Sequence, residues 1–215
     1  MRIVELEARH VRIPLKRKMS HATYVRTETD NVVVRCVLSD GTAGFGEGVP
    51  RDYVTGETID FSLDLLKRTE FAKQLDADCP DFPGAVHLAE KIVLAPVPRD
   101  DRKIQGNAAR CAVELAVLDA FGRAFGEPLS RVTEFVAPEL YRFRDRVQYS
   151  GVLTNPRGWK TRFYPFVYWA SGFAETKIKV GMAGQDDPKR LKRFRRWLGR
   201  KMDVRVDANE AWSPA

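Results

Sequence analysis

Two short segments near the carboxyl terminus hold the residue types best suited to chemistry: Thr176-Lys177-Ile178-Lys179-Val180-Gly181 and Val204-Arg205-Val206-Asp207-Ala208-Asn209. Read as strands, residues two apart face the same way. Lys177 and Lys179 then share one face, with Ile178 and Val180 on the other. Arg205 and Asp207 likewise share a face, opposed to Val204 and Val206. If the apolar set packs under helices, the lysines and the aspartate meet at the C-terminal strand ends, where barrel enzymes keep their active sites. Two ammonium groups held close disfavour each other's charged state, and partial desolvation adds to that. A lysine brought toward neutrality can take a proton from a carbon acid. A divalent cation on Asp207 would stabilise an enolate oxygen, and Mg²⁺ suits an all-oxygen site. Spacing by itself also fits a plainer and commoner arrangement. In that reading Lys-x-Lys guards a solvent-facing strand edge and Asp207 sits in a strand-end turn.

The elements that must position these residues follow from periodicity. Residues 2–15 alternate in part, and Asn31-Val32-Val33-Val34-Arg35-Cys36-Val37-Leu38 is β-branched and apolar, as a strand requires. Asp40-Gly41 signals a hairpin, and a short strand runs through Ala43–Glu47. The polar stretch Ser20–Asp30 reads as a loop between the first two strands. After residue 50 the period lengthens toward 3.6. Residues 57–75 place Ile59, Leu63, Leu66 and Phe71 at helical intervals, and the prolines and glycine of 76–84 break the pattern. The clearest helix is 107–125, with Asn107 as its N-cap, a stripe of Ala109, Ala112, Val113, Ala116, Val117, Ala120 and Phe121, and Gly126 and Pro128 as its stop. Strands followed by helices predict an α+β domain over residues 1–130. Beyond it, strands at 148–153, 174–180 and 204–207 alternate with an aromatic segment at 157–170 and a helix at 188–201. That is the βα rhythm of a parallel sheet or barrel over residues 131–215.

Composition bounds the function. The 215 residues are 44% hydrophobic and 30% charged, an ordinary globular mixture long enough for a full core. No apolar run reaches the length of a membrane span, and the first residues lack a signal pattern, so a cytoplasmic setting is expected. Cys36, Cys79 and Cys111 are widely spaced and odd in number, against a disulfide scaffold. The histidines His10, His21 and His87 are scattered. A net charge of +7 keeps nucleic acid in view.

Lys177–Gly181 followed by Val206-Asp207-Ala208-Asn209-Glu210-Ala211-Trp212 resembles the enolase superfamily, in its muconate lactonizing enzyme and mandelate racemase-like branch of cycloisomerases, o-succinylbenzoate synthases and dipeptide epimerases. Gly44-Phe45-Gly46-Glu47-Gly48, the helix at 107–126 and Ser150-Gly151 fit the same layout. The resemblance implies an α+β capping domain followed by a (β/α) barrel. It also implies an isomerase or lyase that abstracts a proton α to the carboxylate of a small-molecule substrate. Carried over by position, Lys179 is the proton-transfer base or acid and Lys177 tunes it and contacts the substrate carboxylate. Asp207 is the first of three Mg²⁺ carboxylates, and Asn209 stands beside it as a substrate contact. Two capping-domain loops shape specificity in the family. They correspond to about Met19–Asp30 and Val49–Glu57, which makes Tyr24, Arg26 and Tyr53 candidate substrate contacts.

A complete barrel takes about 250 residues, whereas the segment from Gln148 onward holds two βα units and a third strand. The second and third metal carboxylates and the lysine of the opposite face have no counterpart in these residues. The expectation is therefore a C-terminally truncated chain, inactive by itself, with any homo-oligomer belonging to a longer form. The alternative is a non-catalytic remnant, or a protein that binds an anionic partner through Lys189–Lys201 and its eight basic side chains. Against it, Leu191, Phe194 and Leu198 give that segment an apolar stripe, as in a barrel helix with a solvated outer face. Gly44-x-Gly46-x-Gly48 follows a hairpin instead of opening a helix, which argues against a phosphate loop. Cys111, near the apolar stripe, reads as a small buried hydrophobe, and His21 as a loop residue within reach of substrate.

Overall fold

The computed structural model describes all residues except 21–24, 101–104, 155, 157, 183, 209, 210 and 212–215, together with the side chain of Ser20. The chain forms two compact units, Met1–Arg17 with Thr27–Arg142, and Lys18–Arg26 with Phe143–Ala215. No helix among the described residues is long and apolar enough to cross a membrane.

Strands β1 (Ile3–Ser20), β2 (Val25–Leu38) and β3 (Ala43–Gly48) form a sheet in that order, whose body lies in the first unit while Lys18–Ser20 and Val25–Arg26 are counted with the second. The turn at Gly41, whose φ is 86°, follows the Asp-Gly signal. The expected loop at Ser20–Asp30 is a correction: β2 begins at Val25, so Val25–Asp30 is a strand arm in which Arg26, Thr29 and Asp30 are part-buried. Charge anchors the base of this arm, where His10 Nε2 lies 2.6 Å from Asp30 Oδ1 and Arg12 Nε 3.2 Å from it.

Helices α1 (Asp52–Thr55), α2 (Ile59–Arg68), α3 (Phe71–Gln74), α4 (Phe82–Glu90), α5 (Asn107–Phe125) and α6 (Val132–Val136) follow. The single helix expected over 57–75 is broken at Thr69, whose hydroxyl donates to Leu65 O. The prolines of 76–84 start α4 instead of merely breaking a pattern: Asp81 accepts from Gly84 N, with Pro83 in the first turn, where its missing N–H costs nothing.

Helix α5 ends where expected, at a left-handed Gly126, but Asn107 is its first helical residue and not its cap. The N-terminal dipole is met from a distance. Glu57, 2% exposed, accepts Ala108 N at 3.2 Å through one carboxylate oxygen and the Thr55 hydroxyl at 2.7 Å through the other.

The glycines of β3 explain the position of α5. A Cβ on Gly44, Gly46 or Gly48 would lie 2.1, 2.0 or 1.9 Å from the backbone of Ala120, Ala112 or Ala108. Four-residue spacing aligns Ala108, Ala112, Ala116 and Ala120 on one helix face, and the Gly-x-Gly-x-Gly repeat gives it a surface without side chains. The motif is a helix seat. Cys111 is exposed instead of buried, its Sγ 3.6 Å from Glu47 O. It lies one residue before Ala112, off the seated face.

In the second unit β4 (Ser150–Leu153), β5 (Glu175–Lys179) and β6 (Asp203–Asp207) form a parallel sheet in chain order, linked by α7 (Lys160–Ala170) and α8 (Asp187–Leu198). Leu153, Ile178, Val180, Phe194, Leu198 and Met202 make its core. Gly151 leaves room for the Tyr168 ring, and Tyr168 Oη donates to Val152 O at 3.0 Å. Asp186 caps α8, and Phe194 and Leu198 point inward as the stripe predicts.

Candidate active site

The register of the parallel sheet builds the site. Lys177 stands opposite Arg205, and Lys179 opposite Asp207. Thr176 and Ile178 are fully buried, while Glu175, Lys177 and Lys179 are only part-buried, so β5 alternates as its sequence requires. One face of the sheet seats on the helices, and the other carries Lys177, Lys179, Arg205 and Asp207 together with Glu175 and Ser150.

Within this face Lys177 Nζ lies 3.1 Å from Asp207 Oδ2, with 40% and 25% of the two side chains exposed. At that exposure the pair contributes little to stability, about 0.2–1 kcal/mol; its consequence is orientation. The ammonium is drawn along β5 toward the C-terminal strand ends, where Lys179 also stands. A second contact set sits nearer the other end: Arg205 Nη2 donates to Glu175 Oε2 and to Ser150 Oγ, each at 3.1 Å. The expectation that both valines of β6 pack under helices holds only for Val204, which lies against the core. Val206 is 49% exposed.

The strand ends are pinned by Arg190, in sequence one basic residue among the eight of Lys189–Lys201. Arg190 donates to Thr154 O at 3.0 Å and to Lys179 O at 3.3 Å, and pairs with Asp187 at 2.7 Å. Asp187 also accepts Gly181 N. Both side chains are largely buried, so a single guanidinium ties the ends of β4 and β5 beside the lysines. The available signal was Asp-Pro-x-Arg in the first turn of a helix that follows a strand.

The structure thus brings Lys177, Lys179 and Asp207 onto one face. Tyr24 and Asn209 lie outside the described residues, as does His21. Arg26 is part-buried in β2, and Tyr53 lies in α1, its backbone N–H 2.8 Å from Asp52 Oδ1. Among the described residues no group of three His, Cys, Asp or Glu side chains gathers to hold a metal. Asp207 supplies one carboxylate, which does not fit the near-octahedral oxygen shell that Mg²⁺ demands.

No family model matches the chain. It is 26% identical over 217 residues to an L-Ala-D/L-Glu epimerase of Clostridium acetobutylicum, an alignment covering all of this chain and 55% of that protein. A dipeptide epimerase from Methylococcus capsulatus, solved with Mg and the dipeptide L-Arg-D-Lys, superposes with a TM-score of 0.71 at 25% identity over 99% of this chain and 55% of that one. A mandelate racemase/muconate lactonizing protein from Herpetosiphon aurantiacus superposes with a TM-score of 0.66 at 26% identity, over 98% and 54%. The chain spans about half the length of the curated relatives it matches.

Proposed function

This chain is a member of the enolase superfamily, in the branch of mandelate racemase and muconate lactonizing enzyme, and on that premise we propose that its second unit moves a proton at a carbon α to a carboxylate. The observation that carries the reading is the alternation of β5. Ile178 and Thr176 are sealed on one side, and Lys177 and Lys179 are presented together on the other, with Asp207 across the sheet. Lys179 is assigned the proton transfer. Lys177, held at the strand tips by Asp207, is assigned to the substrate carboxylate. Epimerisation of a dipeptide is the favoured reaction, because epimerases and racemases of amino-acid derivatives recur among the relatives. Arg26 and Tyr53, with Tyr24 and Asn209, are proposed substrate contacts. The Methylococcus relative is solved with Mg, but the one carboxylate of this face does not fit that ion's oxygen shell. The proton transfer is therefore assigned to the lysines. A cytoplasmic setting and a small-molecule partner complete the proposal.

One basic face suffices to exchange an α-proton with solvent, whereas inversion needs a second acid or base on the other side. The test incubates the chain with L-Ala-L-Glu and with cationic and hydrophobic dipeptides in D₂O containing Mg²⁺, followed by proton NMR. No net epimerisation is expected from these residues, which carry one basic face only; deuterium entering one α-position with retained configuration is the expected half-reaction. Lys179→Ala should slow that exchange by about 10²- to 10⁴-fold, the usual contribution of a positioned acid or base. An exchange rate untouched by Lys179→Ala, or no exchange above the buffer rate, overturns the reading.

A further inference from the structure

We propose that Arg205 is a positioning residue that decides where the Lys177 ammonium points. The assignment rests on the reading of Lys177 as a substrate-carboxylate contact, but its geometry stands on the sheet alone. The register sets like charges opposite each other: Glu175 faces Asp203, and Lys177 faces Arg205. Like charges directly across a sheet repel, and the contacts that form are diagonal instead. Arg205 on β6 reaches back to Glu175, and Lys177 on β5 reaches forward to Asp207, each at 3.1 Å.

Backbone distance would favour a different pairing for Lys177. Glu175 lies two residues behind it on the same face of the same strand, about 6.6 Å away, whereas the diagonal to Asp207 is about 8 Å. Lys177 nevertheless takes the longer reach. The guanidinium of Arg205 already occupies the Glu175 carboxylate and is itself braced by Ser150 Oγ on β4, so the nearer acid is engaged and the nearer cation repels. Ser150, Arg205 and Glu175 together form a three-strand tie whose effect is to send Lys177 toward the strand tips and Lys179. Arg205 acts through Lys177 and is not itself a catalytic residue.

Zero-length coupling with a water-soluble carbodiimide reads this arrangement directly, because it joins an amine to a carboxylate only where the two are in contact. In the unmodified chain, peptide mapping should find Lys177 joined to Asp207. In Arg205→Gln, Glu175 is released, and the Lys177 link should move to Glu175 while Asp207 becomes joined to Lys179. The double variant Arg205→Gln, Glu175→Gln removes the competing acid and should restore the Lys177–Asp207 link, a rescue that a merely structural role for Arg205 would not produce. Arg205 is more than half exposed, so Arg205→Gln empties no core, and Glu175→Gln alone, which should keep the original link, provides a check that leaves Arg205 in place. A Lys177–Asp207 link that persists undiminished in Arg205→Gln, or that the double variant fails to recover, overturns the proposal. The exchange assay on the same variants judges the functional reading separately. A moved link with unchanged α-proton exchange removes Lys177 from the chemistry and leaves the positioning role of Arg205 standing.

Discussion

The β3 face that receives α5 and the β5 face that carries the lysines use the same two-residue repeat for opposite ends. On β3 the repeat is Gly-x-Gly-x-Gly, and the helix backbone settles so close that a single Cβ has no room. On β5 the repeat is Lys-x-Lys, and its side chains remain 40% exposed at Lys177. Contact energy in the first region comes from backbone and alanine packing, and the β3 backbone between the glycines finds partners on α5, as where Phe45 N donates to Asp119 Oδ2 at 2.9 Å. Order in the second comes from diagonal ion pairs that solvent weakens. Stability is thus concentrated at one repeat and adjustable chemistry at the other.

The largest effect that could break this contrast is expected at Gly46. Gly46→Val would put its Cβ about 2.0 Å from Ala112 O and 2.4 Å from Ala116 N, and backbone cannot yield as a side chain can. Overpacking usually costs about 1–3 kcal/mol, occasionally more, and this substitution is expected at or beyond the upper end. Thiol labelling provides the measurement. Burial pushes the Cys36 thiol up to about 12, so iodoacetamide should reach exposed Cys111 first in the native chain and reach Cys36 rapidly in Gly46→Val. Unchanged protection of Cys36 would show that the seat has slack.

Phe194→Ala is the matching break in the second unit. Removing a buried phenylalanine costs about 3–5 kcal/mol, and Phe194 belongs to a core with only a few other members. Amide exchange should accelerate across β4, β5 and β6 while α5 keeps its protection. Equal loss in both units would mean that they melt together. A smaller effect is expected from Glu57→Gln, which keeps the acceptor for Ala108 N but removes the charge at the α5 terminus. The loss should be about 1–2 kcal/mol in urea unfolding, since a hydrogen bond to a charged group exceeds a neutral one by about that much. The smallest is a pH effect. The hydrogen bond from His10, then Arg12, holds the Asp30 carboxyl below the usual carboxylate range. A depressed acid contributes stability that is present above its unfolded value and lost as pH falls through its folded one. Asp30→Asn should therefore flatten the acid limb of the first unit's stability and leave the neutral region nearly unchanged.

Much of this was legible in the residues themselves. The 3.6 period of 107–125, its glycine stop, the Asp-Gly turn and the alternation of 176–180 are local, and each survives into the structure because local geometry and tertiary packing agree there. What failed was non-local. The cap of α5 comes from Glu57, fifty residues earlier, so the neighbouring Asn107 was the natural but mistaken choice. The strand arm at Val25–Asp30 is polar, held by hydrogen bonds to a partner strand and by charge at its Asp30 base, and polarity alone reads as loop. Arg190 looked like one solvated cation among eight, and only the arrival of two strand ends at its guanidinium distinguishes it.

The sequence by itself determined which faces each strand would show, because side chains alternate across a strand wherever it is placed. Tertiary structure decided which charges meet across those faces. Lys177 has acids both behind it and ahead of it, and the choice between them turns on the register of β6, which the order of residues along β5 does not contain.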